Sequence, residues 1–434
     1  MLRETYSGVT LPATEISVLK ELEGLLQESG YLKAGASIPV ELKEKTAGNI
    51  GFYAENATVM ALSLRYCALT SLPSSLGRLI SLQHLDVTGN RLPSLPESLG
   101  NLLQLRKLYL DENELTSLPE SLGNLLQLEE VHGDKNRLTA LPACIGQLTS
   151  LETLNVYGNS LAALPESLSR LTRLKAISVG GNRLTALPEP FWQLTNLQTL
   201  NLGQNRLNSL SESVGNLTRL HTLDLGHNEL TALPESLGVL RNLTYFLYLS
   251  NNHLTALPRS LANLSNLRYL NITDNSLTAL PDWIGKLSEL QELRLYNNRL
   301  TTLPDALGNL ARLKELHVMN NQLVALPESL GDLVSLKELR LQNNGLAALP
   351  ESIGKLIRLA TLDLRNNCLT SLPESLGNLR NLVYLDLRAN RLVALPASIG
   401  DLPQLEKLDV RWNKLSSLPE WLQRLEQRGC TVYR

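Results

Sequence analysis

Leucine recurs along this chain with a fixed period. Leu82, Leu105, Leu128, Leu151, Leu174, Leu197, Leu220 and Leu243 stand 23 residues apart, and after a slip of one residue the series resumes at Leu267, Leu290, Leu313, Leu336, Leu359, Leu382 and Leu405. The extra residue lies in 243–254 (LTYFLYLSNNHL), before or within the apolar alternation of that copy. With a degenerate first copy from Val59 there are sixteen copies of LxxLxLxxNxLxxLPxxLGxLxx. The LxLxx stretch alternates apolar and polar residues, the period of a short strand with one buried face. An asparagine such as Asn90, Asn113, Asn275 or Asn413 follows in fifteen copies, and only the first replaces it, with Cys67. A primary amide both donates and accepts, so at the bend it can satisfy backbone groups of neighbouring coils.

The Leu-Pro pair that comes next fixes φ and removes a donor, so the return path is predicted to be extended or 3₁₀ rather than a long helix. A thin return layer still wider than the strand layer bends the stack, with parallel strands inside. Sixteen strands at about 4.8 Å each give an inner arc of roughly 75 Å. No coil buries its leucines alone, so both ends need caps. Residues 15–29 place Ile16, Leu19, Leu22, Leu25 and Leu26 on one helical face, and 51–64 read as two strands around Glu55-Asn56. At the other end Trp421, Leu422 and Leu425 mark a short amphipathic helix, followed by a Gly429 stop and a strand over Cys430–Tyr433. The expected organisation is a cap over 1–58, sixteen repeats over 59–419 and a cap over 420–434, a chain complete in itself.

On these motifs the sequence resembles the leucine-rich-repeat family from residue 59 to about 425. The resemblance implies an α/β repeat solenoid: a right-handed curved horseshoe with a parallel sheet on its concave face and short 3₁₀ or extended convex segments. The 23-residue class is shared with Ras-binding scaffold proteins, Roco proteins and stand-alone microbial repeat proteins. It therefore implies a protein partner, with a small GTPase as one class, although no residue here selects a GTPase. Secreted relatives carry cysteine-stapled caps. Cys67, Cys144, Cys368 and Cys430 are scattered instead, which points to a reduced, cytoplasmic protein.

Composition narrows the function. With 40 Lys+Arg against 42 Asp+Glu the chain lacks the cationic surplus of a general nucleic-acid binder. It also shows neither a signal peptide nor an uninterrupted apolar run long enough to span a membrane. No phosphate loop, dinucleotide fingerprint or HExxH motif occurs. His221 and His227 lie roughly 20 Å apart along an extended chain, too far to share an ion. His84, His132 and His317 are expected to face outward, solvated or touching a partner. The serines of PESLG recur too often to be nucleophiles, and Cys144 has no fixed histidine beside it. We expect no enzyme, no cofactor and no metal.

What remains informative are the strand positions the repeat leaves free. Tyr109, His132 and Tyr157 stand among Asp86, Asp111 and Asp134 in coils two to five, and Gly180, Gly181, Gly203 and Gly226 make a bare trough in coils six to eight. Tyr245, Tyr248, Tyr269, Arg294, Tyr296, His317 and Met319 gather in coils nine to twelve, the residue types that enrich interface cores. In the last three coils Asp363, Asp386 and Asp409 stack beside Arg365, Arg388 and Arg411. The plainer reading of that column is a self-satisfying ion ladder, each exposed pair contributing roughly a few tenths of a kcal/mol. Tyr384 and Trp412 beside it keep a partner reading open. Gly133 occupies a core leucine slot and Trp192 a glycine slot, which predicts a small void and a bulge. The expected function is a monomeric, non-enzymatic scaffold binding a protein on its concave face around Tyr245–Met319. An adaptor delivering substrates to a separate enzyme, such as a ubiquitin ligase or a phosphatase, is the alternative.

Overall fold

The computed structural model describes residues 3–40 and 50–434. The chain divides into two compact units, Met1–Leu207 and Asn208–Arg434.

The first unit opens with a hairpin the sequence pattern did not announce, Arg3–Tyr6 against Val9–Pro12. The helix Ala13–Glu28 follows and buries Ile16, Val18, Leu19, Leu22 and Leu26, while Leu25 is only half-buried. Glu15 is buried in the same stripe, and its carboxylate accepts the Val59 N–H at 2.9 Å, tying the helix to the first coil. A second hairpin, Ile50–Glu55 with Thr58–Leu64, leads into that coil. Coils two to seven then contribute strands at 84–86, 107–109, 130–132, 153–155, 176–178 and 199–201, each parallel to the next and in register, Leu85 beside Leu108. The middle residue of each strand points into the core and its two neighbours face outward, as period two requires.

The second unit repeats the arrangement with strands at 222–224, 246–248, 269–271, 292–294, 315–317, 338–340, 361–363, 384–386 and 407–409, which form coils eight to sixteen. The slip is absorbed just before the ninth strand. Phe246 pairs with Thr222 on one side and Tyr269 on the other, so the ladder is unbroken. Tyr245 stands directly ahead of it, its N–H on the His221 carbonyl at 3.2 Å. The helix Trp421–Gln427, Gly429 with φ +94° and a last strand, Thr431–Tyr433 on Lys407–Asp409, close the unit.

Between strands the return path is 3₁₀ in both units, as at Glu97–Asn101, entered through an extended proline, Pro96. In coil seven Ser211 stands where proline is usual and caps the turn instead, its Oγ accepting the Ser213 N–H at 3.1 Å. The glycine of PESLG has a steric cause. A Cβ on Gly100 would lie 2.5 Å from the Ser121 carbonyl oxygen of the next coil. Two departures behave differently. A Cβ on Gly133 would meet nothing nearer than Val156 Cγ1 at 3.7 Å, so its slot is open. Trp192 is 2% exposed and packs edge-on against Phe191 at 5.4 Å, taken inward rather than displayed.

The asparagines staple adjacent coils as their chemistry suggests. Asn113 Nδ2 donates to the Val87 carbonyl at 2.9 Å and to Leu110 at 3.0 Å, while its Oδ1 accepts the Leu92 N–H at 3.1 Å. Cys67, in the first coil, takes no such role and instead gives its N–H to Asn90 Oδ1 at 3.1 Å.

Candidate protein-binding face

Each coil shows two side chains on the strand face, the first and last residue of its strand. In coils nine and ten three of these four are aromatic, Phe246, Tyr248 and Tyr269, and the fourth is Asn271. Phe246 stacks on Tyr248 at 5.6 Å and meets Tyr269 edge-on at 5.5 Å, and Tyr248 lies 5.1 Å from Tyr269. Tyr245, just ahead of the strand, continues the cluster at 6.5 Å from Phe246 and reaches His221 at 6.3 Å. Arg294 closes the far side with its guanidinium 5.5 Å over the Tyr269 ring, and its Nε donates to Glu292. Tyr245 is 51% exposed and Phe246 39%, whereas burial pushes the Tyr269 hydroxyl up to about 12. The two outer rings are thus open to solvent over a base of half-buried ones.

Beside this cluster lies a row of carboxylates. Glu292, Glu315 and Glu338 are directly paired on three adjacent strands. His317 faces the strand side but is only 8% exposed, which corrects the expectation of a solvated imidazole. Its Nε2 stands 3.5 Å from Glu315 Oε2 and 3.3 Å from Glu338 Oε1 and makes no hydrogen bond. Burial, with Arg294 and Arg340 nearby, holds the ring below the usual histidine range despite the pull of Glu338. One ligand atom from each of Glu315, His317 and Glu338 falls within 4.8 Å of the others, an arrangement able to hold a metal ion.

Tyr296 and Met319 belong to neither group. They line a groove of about 430 Å³ that continues past Gln342 and Arg365 to Arg388 and Trp412. Its floor is a second asparagine ladder: Asn297 Nδ2 donates to Asp274 at 2.6 Å, Asn320 to Asn297 at 2.6 Å, Asn343 to Asn320 at 2.5 Å and Asn366 to Asn343 at 2.7 Å. All four occupy the left-handed bend, with φ between 54° and 58°, which asparagine tolerates better than most residues. The seven residues expected to form one patch therefore divide into an aromatic cluster, a histidine between carboxylates and one end of a groove.

The C-terminal columns form an ion ladder, but not one of exposed pairs. Asp363, Asp386 and Asp409 are 5%, 0% and 1% exposed. Arg388 reaches Asp386 at 2.6 Å and Asp409 at 3.3 Å, and Arg411 reaches Asp409 at 2.7 Å. Tyr384 donates to Asp386 at 2.8 Å with Lys407 5.3 Å over its ring. Trp412 is 70% exposed, Arg411 stacking 5.3 Å above it.

In the first unit Tyr109 lies 4.8 Å from His132 and donates to Glu130 at 2.9 Å, a small self-satisfied group. The expected trough is partly roofed. The Tyr157 ring lies over Gly180 and Gly181, and its hydroxyl donates to Gln204 at 2.7 Å. On the 3₁₀ side of the second unit a groove of about 820 Å³, lined by Arg259, Trp283 and Lys286, opens beside Ala262, which stands where most coils have the close-packing glycine. Burial pushes the Cys144 thiol up to about 11 and that of Cys67 to about 12, leaving both protonated and poor nucleophiles at neutral pH.

Models of the leucine-rich repeat match residues 81–102, 104–125 and, in overlapping segments, 149–277, and a leucine-rich repeat region matches 251–344 and 326–427. A leucine-rich-repeat protein of Leptospira interrogans is similar in structure, with a TM-score of 0.79 and 36% identity over 86% of this chain and 94% of that one. The chain belongs to the leucine-rich-repeat family. Its fold is the leucine-rich-repeat solenoid. The Arabidopsis receptor kinase HAESA, solved with the peptide hormone IDA and the co-receptor SERK1, is 27% identical over 95% of this chain and 81% of that one, TM-score 0.59. The functional domain of InlJ from Listeria monocytogenes shares the fold at 23% identity and TM-score 0.63, over 82% of this chain and 68% of that one. No curated protein sequence matches the chain. Among the described residues no helix is long and apolar enough to cross a membrane.

Sequence reasoning on this leucine-rich-repeat array missed Phe246, Glu315 and Glu338. All three sit in the first outward strand column, from which only His84, Tyr269 and Tyr384 were singled out. It also missed the outer amide ladder, although four consecutive Asn-Asn pairs at 297, 320, 343 and 366 carried the signal.

Proposed function

We propose that this leucine-rich-repeat protein is a non-enzymatic scaffold that binds a protein or peptide partner on the concave strand face, centred on Tyr245, Phe246, Tyr248 and Tyr269. The observation that carries the reading is the exposure of two neighbouring rings, Tyr245 and Phe246, over a packed aromatic base. Aromatic side chains lose little conformational entropy on binding and bury large areas, which is why they dominate interface hot spots. HAESA, a similar solenoid, is seen with a peptide hormone and a co-receptor, which favours a polypeptide ligand here. A small GTPase is one partner class implied by the repeat type, and a cytoplasmic, signalling role is part of the same reading. The test is capture of partners from the native extract by wild type and by Phe246→Ala/Tyr248→Ala, read by mass spectrometry and confirmed with the purified partner. A partner retained equally by both proteins moves the interface off this cluster.

One observation favours a second reading, an adaptor with two binding surfaces. Trp412, the most exposed large apolar side chain among the described residues, lies seven coils from Phe246. An adaptor that brings a substrate to a separate ubiquitin ligase or phosphatase needs two such surfaces.

A further inference from the structure

The first outward column of coils eleven to thirteen holds three glutamates, and the last outward column holds Arg294, His317 and Arg340. In the outer two coils the pairing is complete within the strand: Arg294 Nε donates to Glu292 and Arg340 Nε to Glu338. In the middle coil the cation is replaced by an imidazole. Three carboxylates thus face two guanidiniums, an excess of one negative charge centred on Glu315, whose nearest basic atom is His317 Nε2 at 3.5 Å. That nitrogen is itself buried and makes no hydrogen bond, an arrangement that costs free energy unless something else satisfies it.

We propose that Glu315, His317 and Glu338 form a binding site for a first-row divalent transition metal, Zn²⁺ foremost, with its remaining coordination position open on the strand face. The chemistry and the spacing agree. Imidazole nitrogen and carboxylate oxygen are the ligand types of such ions. Atoms bound at about 2.0–2.2 Å to a tetrahedral ion stand roughly 3.3–3.6 Å from one another. His317 Nε2 lies 3.3 Å from Glu338 Oε1 and 3.5 Å from Glu315 Oε2, so the two edges it shares with the carboxylates already have that length. An ion between them coordinates the unpartnered nitrogen and offsets the uncompensated charge together. Calcium and magnesium fit less well, since they take oxygen ligands and a nitrogen is the central donor here.

Two features set the strength of the site. Glu315 and Glu338 come from adjacent parallel strands in register and His317 from the strand of Glu315, so the ligands are held by the ladder rather than by a loop. Against this, Arg340 donates to the same Glu338 oxygen that faces His317, and a guanidinium there repels a dication. The affinity is therefore moderate, and removal of Arg340 strengthens it. His132 offers an internal control. Its Nε2 has one carboxylate at 3.7 Å, Glu130, which also accepts from Lys107 and Tyr109.

The test titrates Zn²⁺ into the metal-stripped full chain against a chromophoric chelator and by calorimetry, independently of any protein partner. One equivalent binds to wild type, Glu315→Gln and His317→Gln each weaken that binding at least about tenfold, Arg340→Gln tightens it about fivefold, and His132→Gln leaves it unchanged. The half-exposed Glu315 makes Glu315→Gln a variant whose fold is not at risk, and circular dichroism of each metal-free protein checks the rest. Absence of saturable one-equivalent binding, or equal affinity in wild type and Glu315→Gln, overturns the assignment. So does loss of binding on His132→Gln.

Discussion

Asn298 Nδ2 donates to the carbonyl of Ile272, one coil back, at 2.9 Å, in a place where neither group sees water. The same amide donates to Leu295 at 3.1 Å, and its Oδ1 accepts the Leu277 N–H at 3.0 Å. Asn298→Ala leaves the buried Leu277 N–H unsatisfied and takes one of two donors from the Ile272 and Leu295 carbonyls, which keep Asn275 and Asn321. We expect a loss of roughly 1–3 kcal/mol, seen in denaturant unfolding and as faster exchange of the Leu277 amide. The outer ladder is a control. Asn320→Gly keeps the left-handed backbone, φ +54°, and deletes only an exposed amide, so its cost stays within about 0.5 kcal/mol. Equal losses from the two variants would refute the distinction between the ladders.

Close packing on the 3₁₀ side makes a second contrast. A Cβ on Gly308 would sit 2.5 Å from the Ser329 backbone oxygen, and neither coil can retreat without disturbing its neighbour. Gly308→Ala should cost about 1–3 kcal/mol through overpacking. Gly133→Ala meets nothing closer than 3.7 Å and also restricts the unfolded chain, so stability should be unchanged or should rise by up to about 1 kcal/mol. Thermal melts of the two variants check both signs.

The aspartates of coils fourteen and fifteen differ in the direction of their shifts, and stability should follow. Burial raises Asp386, but the Arg388 and Tyr384 hydrogen bonds outweigh it and hold its carboxyl below the usual range. Its folded pKa is thus below the unfolded value, so its contribution is present above about pH 4 and disappears as pH falls through the folded value. Asp363 is raised, burial outweighing Arg365 at 3.4 Å. It favours folding when protonated, and that benefit is lost as pH rises past its unfolded value. At pH 7 Asp386→Asn should cost about 1–3 kcal/mol, the range for hydrogen bonds to a charged group. Asp363→Asn, which retains an oxygen for the Arg365 N–H, should be neutral or stabilising. Urea midpoints between pH 3 and pH 7 test the opposition, which vanishes if the two variants follow one curve.

The elements that recur were legible because the repeat states each rule many times. Leu85, Asn113 and Pro96 each stand for a column whose chemistry permits one role, and a pattern written in most coils averages out local exceptions. The two terminal helices were legible from helical spacing alone, except that Glu15 is buried with the apolar stripe. No hydropathy argument places a carboxylate there, because its partner, the Val59 N–H, comes from 44 residues away. The candidate sites were legible only as composition. Tyr296 and Tyr248 fall in the same stretch of sequence, yet one lines the groove above the asparagine ladder and the other packs on Phe246. Separating them requires the orientation of each outward column. His317 is the sharpest case: a strand position that alternation assigns to solvent is buried by its neighbours' long side chains, whose lengths carry no periodic signal.

Phe246 and Trp412 distinguish a single-surface scaffold from a two-surface adaptor. Phe246 stands on a packed base of Tyr248 and Tyr269, the setting in which truncation of an anchor costs about 2 kcal/mol or more, near thirtyfold in affinity. Trp412 is covered from one side by Arg411, itself 4.9 Å over the Tyr433 ring, and leaves its other face exposed. With a first partner in hand, Phe246→Ala should weaken its binding about thirtyfold and Trp412→Ala by less than about twofold. For an adaptor the pattern reverses with the second partner, and a ternary complex forms with wild type but with neither variant. If Trp412→Ala and Phe246→Ala weaken the same partner to the same degree, one ligand spans both surfaces. The groove between Tyr296 and Trp412 would then be part of its footprint, and the adaptor reading would fall.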